Sequence, residues 1–262
     1  MREKITIIGG GWIGIPLAES LHKEGFEIVI SSRKVEKQLF FKSRNWSPIG
    51  LEFAESSVNI NLLDNKSLET DVLIIGLPPT GFSNYPASIS SLIVSFPSST
   101  QVIFLSSTSV YADTLGLLNE KSQLKAEHPL VHAEAFVLKQ KNHCVLRLGG
   151  LIGPGRHPIH QLIKKEIPIS DGETPVNLIN QTDVIRAVLM LINQKITGKI
   201  FNLCSPEHPT RKDYYNKAAN YFYGKELSFL ADGNGKKIDG SAIENWGGFC
   251  YNISIYDFEQ SK

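Results

Sequence analysis

Gly9, Gly11 and Gly14 set a GxGxxG spacing in the run GGGWIG, directly after the β-branched stretch Ile5 to Ile8 and before an apolar-periodic stretch, Ile15 to Lys23. Between a predicted strand and a predicted helix this spacing has a specific chemistry. One glycine permits the tight turn, one lets the backbone approach a pyrophosphate, and one lets helix and strand pack closely. The helix N-terminus adds N–H donors and the positive end of its dipole. Gly9, Gly11, Trp12, Ile13 and Gly14 are therefore the expected phosphate cradle of a dinucleotide, against the alternative of a glycine turn chosen for packing alone.

The choice of dinucleotide is expected at the end of the second predicted strand, Phe26 to Ile30. The chain continues Ser31, Ser32, Arg33, Lys34, with no carboxylate to accept from ribose hydroxyls. Two cations and neighbouring hydroxyls suit a 2′-phosphate, so Ser32, Arg33 and Lys34 point to NADP over NAD. A solvated loop start is the plainer alternative. Ligands in open α/β sheets lie beyond the carboxyl ends of strands. Leu77 and Pro78, closing the run from Asp71, are thus expected on the ribose and nicotinamide side, and Asn61 and Leu62, ending the run from Val58, near the adenine.

Positioning such a site takes a sheet. Further apolar runs at Val58 to Leu62, Val72 to Leu77, Gln101 to Leu105 and Cys144 to Leu148 alternate with helical stretches, the best of them Pro86 to Phe96 and Ala133 to Gln140. Non-alternating buried strands separated by helices imply an α/β fold, a doubly wound parallel (Rossmann) sheet. After Gly155 the texture turns to Pro-, Gly- and His-rich loops. A helix over Asp183 to Asn193, a strand over Lys199 to Leu203 and a helix over Arg211 to Phe222 follow.

Composition narrows the class. The chain has 262 residues, and 27 Lys+Arg against 26 Asp+Glu leave a net charge of +1, so no global field argues for nucleic acid or an anionic membrane. Apolar content of 42% excludes a disordered chain. Three cysteines without metal-type spacing argue against a disulfide framework or a metal site. The N-terminal apolar run is short for a signal peptide, and no apolar stretch reaches about 18 residues. A cytoplasmic, membrane-free protein is the expectation.

Several later segments carry a family resemblance. Phe104-Leu-Ser-Ser-Thr-Ser-Val-Tyr-Ala-Asp113 resembles the SSxxVYGD element of extended short-chain dehydrogenases/reductases, the epimerase/dehydratase group. Leu146-Arg-Leu-Gly-Gly-Leu-Ile-Gly-Pro-Gly-Arg156 resembles that group's RLxxxYGPGR, Asn177 to Val184 its N-x-I-H-x-x-D-V, and Phe201-Asn-Leu its later YNV strand. The run Pro206 to Tyr215 is similar to an atypical subgroup. The resemblance implies a nucleotide-binding domain over 1–152, to which 183–204 returns, and a short, partly interleaved substrate lobe over 153–262. It also implies hydride exchange between NADP(H) and a small carbonyl or sugar-type substrate.

The departures fall on the catalytic half. Family enzymes use a Tyr-x-x-x-Lys pair about 25 residues after the serine that Ser107 matches. Counting on reaches His132 and Phe136, and anchoring on Ala133-Glu134 gives Ala126 and Leu130. The chain's single Tyr-x-x-x-Lys, Tyr221 to Lys225, comes too late in order. Proton donors that could substitute are His132, Tyr111 and the ring of His157, with Ser107 as the partner of a carbonyl. Arg156 and His157, after the glycine turn, are the expected substrate contacts, whereas Arg147 within a strand reads as half of a structural ion pair. An epimerase-like oxidoreductase and a cofactor-binding sensor that lost the chemistry both fit, and helices flanking such a cleft are compatible with a homodimer.

Overall fold

The computed structural model describes residues 3–53, 58–62, 68–165 and 168–261. Strand β1 (Lys4–Ile8) leads through the glycine turn into helix α1 (Gly14–Lys23), and β2 (Glu27–Ser31), α2 (Val35–Ser43), β3 (Ser47–Phe53) and β4 (Val58–Leu62) follow. Next come β5 (Val72–Ile75), α3 (Tyr85–Val94), β6 (Gln101–Ser107), a 3₁₀ turn over Thr108–Val110, β7 (Gly116–Leu118), α4 (Pro129–Val137), β8 (His143–Leu148) and β9 (Gly150–Ile152). The chain ends through α5 (Ile159–Leu162), β10 (Leu178–Asn180), α6 (Gln181–Asn193), β11 (Lys199–Leu203), α7 (Arg211–Tyr223), β12 (Lys236–Ile238), α8 (Ser241–Glu244) and a 3₁₀ turn over Phe258–Ser261.

Among the described residues, eight strands form one sheet in the order β11-β8-β6-β5-β1-β2-β3-β4. β1 pairs in parallel with both β2 and β5, β5 with β6, and β2 with β3, the doubly wound arrangement expected from the run of elements. Its central strands are buried on both faces: Ile5, Ile8, Leu73, Ile74, Ile75, Ile103 and Phe104 are inaccessible to solvent. Each such side chain contributes about 1.5–3 kcal/mol of burial, which fixes the sheet before any site residue matters. No helix among the described residues is long and apolar enough to cross a membrane.

Local chemistry sets the helix ends. Asn84 caps α3 through Ala87 N–H at 3.2 Å, with Pro86 in the first turn. Thr210 caps α7 through Asp213 N–H at 3.1 Å, and Gly224 at φ +61° ends it in the left-handed region. α4 begins four residues earlier than the stretch from Ala133 suggested, because Pro129 is pre-set for the first helical turn and His128 supplies the cap. α2 and β3 are additions to the expected elements, so β4 is the fourth strand. It runs antiparallel to β3, where a parallel strand was expected.

Two compact units divide the chain. The first takes Met1–Val110, Lys125–Leu146 and Val188–Ile200, and the second takes Tyr111–Leu124, Arg147–Ala187 and Phe201–Lys262. The second has its own core, in which Ile152, Ile159, Tyr214, Ala218, Ala219 and Ile255 are essentially excluded from water.

Candidate functional site

Strand order reverses between β1 and β5, and there the first unit opens a cleft of about 890 Å³ at the carboxyl ends of the strands. Gly9 to Gly11 form one wall and Gly76, Leu77 and Pro78 another. Such a switch point is where open α/β sheets take ligands, because the loops from neighbouring strands diverge and leave a crevice.

Each glycine of the loop has a distinct reason to lack a side chain. Gly9 has φ +118°, and a Cβ there would lie 2.8 Å from the carbonyl oxygen of Gly76. At Gly14 a Cβ would collide with the carbonyl of Gly9, so this residue lets α1 start against the strand. Gly11 is different: nothing lies within 4 Å of its Cβ position. Neither packing among the described residues nor an unusual φ demands glycine there. Helix α1 has no side-chain cap and no acid in its first turn, so no fixed carboxylate competes for an anion there. Trp12 and Ile13, half-buried, lie in the turn and buried Gly14 opens α1, and none of the three is in the cleft wall.

The rim after β2 is cationic. Ser32, Arg33 and Lys34 line the cleft, and Arg33 and Lys34 are exposed. The Ser32 hydroxyl accepts from Lys34 N–H at 3.1 Å. Ser31, read from sequence with this group, belongs to the loop instead: its hydroxyl accepts from Gly9 N–H at 2.9 Å and its carbonyl from Gly10 N–H at 3.0 Å. Lys37, in the first turn of α2, also lines the cleft and donates to the Gly10 carbonyl at 3.0 Å. Glu52 on β3 is the one carboxylate among the lining residues.

Leu77 and Pro78 line the cleft. The buried Tyr85 holds that turn by donating its hydroxyl to the Leu77 carbonyl at 2.8 Å, and burial raises its phenol well above the ordinary range, keeping it a donor. The backbone of Asn61 and Leu62 pairs with Gly50 and Ile49, but their side chains lie outside the described residues.

The proposed proton donors fall in different settings. Ser107 ends β6, and its hydroxyl accepts from Ser109 N–H at 3.1 Å. His132 is exposed on α4, and its ring makes no hydrogen bond among the described residues. The histidine that meets this serine cluster is His128, which sequence reading passed over: its Nε2 lies 3.3 Å from Ser109 Oγ. The signal available was the His-Pro pair opening a helix.

Tyr111 corrects an expectation. It is fully buried in the second unit, donates to Asn202 Oδ1 at 2.5 Å and accepts from Arg147 Nη1 at 3.0 Å. Desolvation raises its pKa, and with both roles of the hydroxyl taken it is a structural anchor, not a proton donor to substrate. Arg147 lies over the same ring at 5.1 Å and donates to the Glu120 carbonyl at 3.3 Å.

His157 is a second correction. It is 4% exposed, stacked against Tyr214, with Nδ1 accepting from Ile159 N–H at 3.1 Å and Nε2 2.8 Å from the Tyr214 hydroxyl. Tyr214 in turn donates to the Ile255 carbonyl at 3.1 Å, so the neutral ring carries its proton on Nε2. This is core, not substrate contact. Arg156 is exposed in the turn that Gly153 and Arg156 close by mutual backbone bonds of 3.0 and 2.8 Å.

A pH dependence follows. Burial, then the charge of His160, lowers His157 from 6.5 to about 4. As pH falls from about 6.5 to about 4 the unfolded chain binds this proton and the native state does not, so stability declines with falling pH. The expected contribution at about pH 4.5 is about 2–3 kcal/mol. Urea unfolding at about pH 7 and 4.5 checks it: His157→Phe should lose less stability over that interval than the parent by that amount, and equal losses would contradict it.

No family model matches the chain. Among solved structures, vestitone reductase from alfalfa aligns with TM-score 0.78 (15% identical, 99% of this chain and 97% of that one). UDP-glucuronic acid 4-epimerase from Bacillus cereus, in complex with NAD, aligns with TM-score 0.73 (17% identical, 99% and 97%). A functionally unknown conserved protein from Silicibacter pomeroyi DSS aligns with TM-score 0.74 (22% identical, 97% and 95%). Fold and glycine loop together define a Rossmann protein of the epimerase/reductase architecture. Protein YeeZ of Escherichia coli (strain K12) is 32% identical over 267 residues, covering 95% of this chain and 96% of that protein. The chain belongs to the YeeZ family.

Proposed function

We propose that this protein is an NADP-dependent oxidoreductase of the epimerase/dehydratase kind, acting on a small carbonyl or sugar-type substrate. The carrying observation is Gly11: an ordinary φ and an empty Cβ position in a loop otherwise packed tight. That is the surface a pyrophosphate needs against the N-terminus of α1.

Gly9 to Gly11 would hold the pyrophosphate, Arg33 and Lys34 a 2′-phosphate, and Leu77 and Pro78 the ribose on the nicotinamide side. The group, when bound, supplies hydride transfer at its nicotinamide ring. Lys37 holds the Gly10 carbonyl through its Nζ, and Ser31 fixes the start of the loop. A cofactor-binding sensor is the second reading, favoured by the absent tyrosine–lysine pair and by the structural use of Tyr111.

Parallel calorimetric titrations with NADPH and NADH test the cofactor half. NADPH is expected to bind more tightly, and Arg33→Glu to weaken NADPH about 10- to 100-fold while changing NADH by less than about 3-fold, since it replaces a charge-assisted contact with repulsion. Equal losses for both nucleotides would overturn the 2′-phosphate assignment. Turnover of a carbonyl panel then separates enzyme from sensor.

A further inference from the structure

We infer that Arg211 and Tyr215, on one face of the start of α7, form a binding site for the carboxylate of a small anionic ligand. The inference goes beyond the nucleotide reading and does not rest on it: every residue concerned belongs to the second unit.

Arg211 and Tyr215 stand four residues apart in one helix and so share a face. The guanidinium lies over the Tyr215 ring, 5.8 Å from its centroid. Stacking of this kind holds the planar fork in one orientation, so less freedom is lost when a ligand binds. The backbone beneath is pinned as well. Arg211 N–H donates to the Thr174 carbonyl at 2.8 Å, Lys212 N–H donates to the Gly172 carbonyl at 3.0 Å, and the Thr210 hydroxyl accepts from Asp213 N–H at 3.1 Å. These bonds use up the first three amides of the helix, so an anion here is met by side chains and not by the helix end.

What these side chains lack is an acceptor. Arg211 is half-buried, its Nε is buried without a hydrogen bond, and its guanidinium meets no carboxylate among the described residues. Other cations of the same unit are answered: Arg186 by Asp183 at 2.7 Å, and Lys236 by Asp113 at 3.3 Å. A guanidinium taken partly out of water without a counter-charge calls for a water, an ion or a ligand. Nη1 and Nη2 are unpaired but not sealed from solvent, so the outer fork is reachable. Tyr215 is 6% exposed, and its hydroxyl has no partner among the described residues either. Burial raises its phenol and the Arg211 charge lowers it by less, so near neutrality it is an O–H donor within that cation's field.

The donor set selects the ligand. A carboxylate gives two oxygens to a planar fork and keeps a lone pair for a phenol O–H, which is the combination offered here. Charge points the same way. Lys212 and Asp213, the next two residues of the turn, cancel, so its net charge is the single positive charge of Arg211. One cation matches a monoanion; a dianionic phosphate is left half-neutralised with Asp213 nearby.

The test uses the full chain without nucleotide, with sodium acetate and sodium phosphate as probes, each replacing sodium chloride at constant ionic strength. NMR reads the Arg211 side-chain Nε–H, assigned by its disappearance in Arg211→Lys, and the Tyr215 backbone amide. In the parent, acetate is expected to give a saturable shift at both, half-complete at about 1–30 mM. Tyr215→Phe keeps the ring and removes the hydroxyl. It should bind acetate about 3- to 10-fold more weakly and melt within about 2 °C of the parent, since the hydroxyl removed had no partner in the folded chain. Arg211→Gln, read at the Tyr215 amide, should show no saturation up to about 100 mM acetate. Should that variant fail to fold, Tyr215→Phe carries the test alone. No saturable shift with acetate, affinity unchanged in the variants, or phosphate saturating at a lower concentration than acetate would overturn the inference.

Discussion

Gly11→Val is expected to melt within about 2 °C of the parent and to bind NADPH at least about 100-fold more weakly. The residue has no positive φ to lose and open space where the side chain would go, so the folded chain barely registers the change. A ligand that must lie on the backbone loses its place. Gly14→Ala makes the opposite prediction: its Cβ meets the Gly9 carbonyl, and relieving that overlap separates α1 from the strand. A cost of about 1–3 kcal/mol is expected, seen as a drop in melting temperature of about 2–12 °C. Thermal melts and calorimetry on the two variants distinguish a phosphate cradle from a packing turn. If Gly11→Val binds nucleotide as the parent does, the cradle is refuted.

Asp183→Ala should destabilise the protein by about 3 kcal/mol, the second large effect expected. The carboxylate is 1% exposed and accepts from Arg186 Nη1 at 2.7 Å, from Asn252 N–H at 3.3 Å and from Ile253 N–H at 3.2 Å. Truncation leaves two backbone donors and part of a guanidinium unpaired, and the penalty comes mainly from the amides because Arg186 retains some water. Hydrogen exchange at Asn252 and Ile253 should accelerate with the loss, while Asp183→Asn keeps one acceptor and loses about half as much. A urea-measured cost below about 1 kcal/mol would show that the terminal segment is held by other contacts. The landmark resembling N-x-I-H-x-x-D-V thus has a local physical use in this chain, tying the C-terminal segment to α6.

Sequence carried the centre of the fold and lost its margins. β1, the glycine turn, α1 and β2 were legible because strand burial is continuous and the turn chemistry specific. α2 was hidden because VEKQLFFKS exposes Val35 and Leu39 and buries only Phe41, leaving no helical period to detect. β3 was hidden because Pro48 and Gly50 interrupt SPIGLEF; a proline near the start of a strand is tolerated where its missing N–H costs little. Lys37 was missed with the helix that carries it. Tyr111 and His157 were misread for a different reason: residue type gave their chemistry, but their partners Asn202 and Tyr214 lie 91 and 57 residues away, and only the fold brings them in. His128 and Ser109, 19 residues apart, have the same dependence on folding.

The boundary between the two units bears on how the chain is made. The chain passes from one unit to the other inside β8, inside α6 and inside β11, so the first unit closes only when Ile200 is available. A nascent polypeptide therefore cannot finish its nucleotide-type domain while the second half is still being translated. Until then the β8 side of the sheet, with the buried run Cys144 to Leu146, waits for a strand from about fifty residues further on. Vectorial synthesis offers this architecture no early resting point, and its aggregation-prone interval lasts until β11 has left the ribosome.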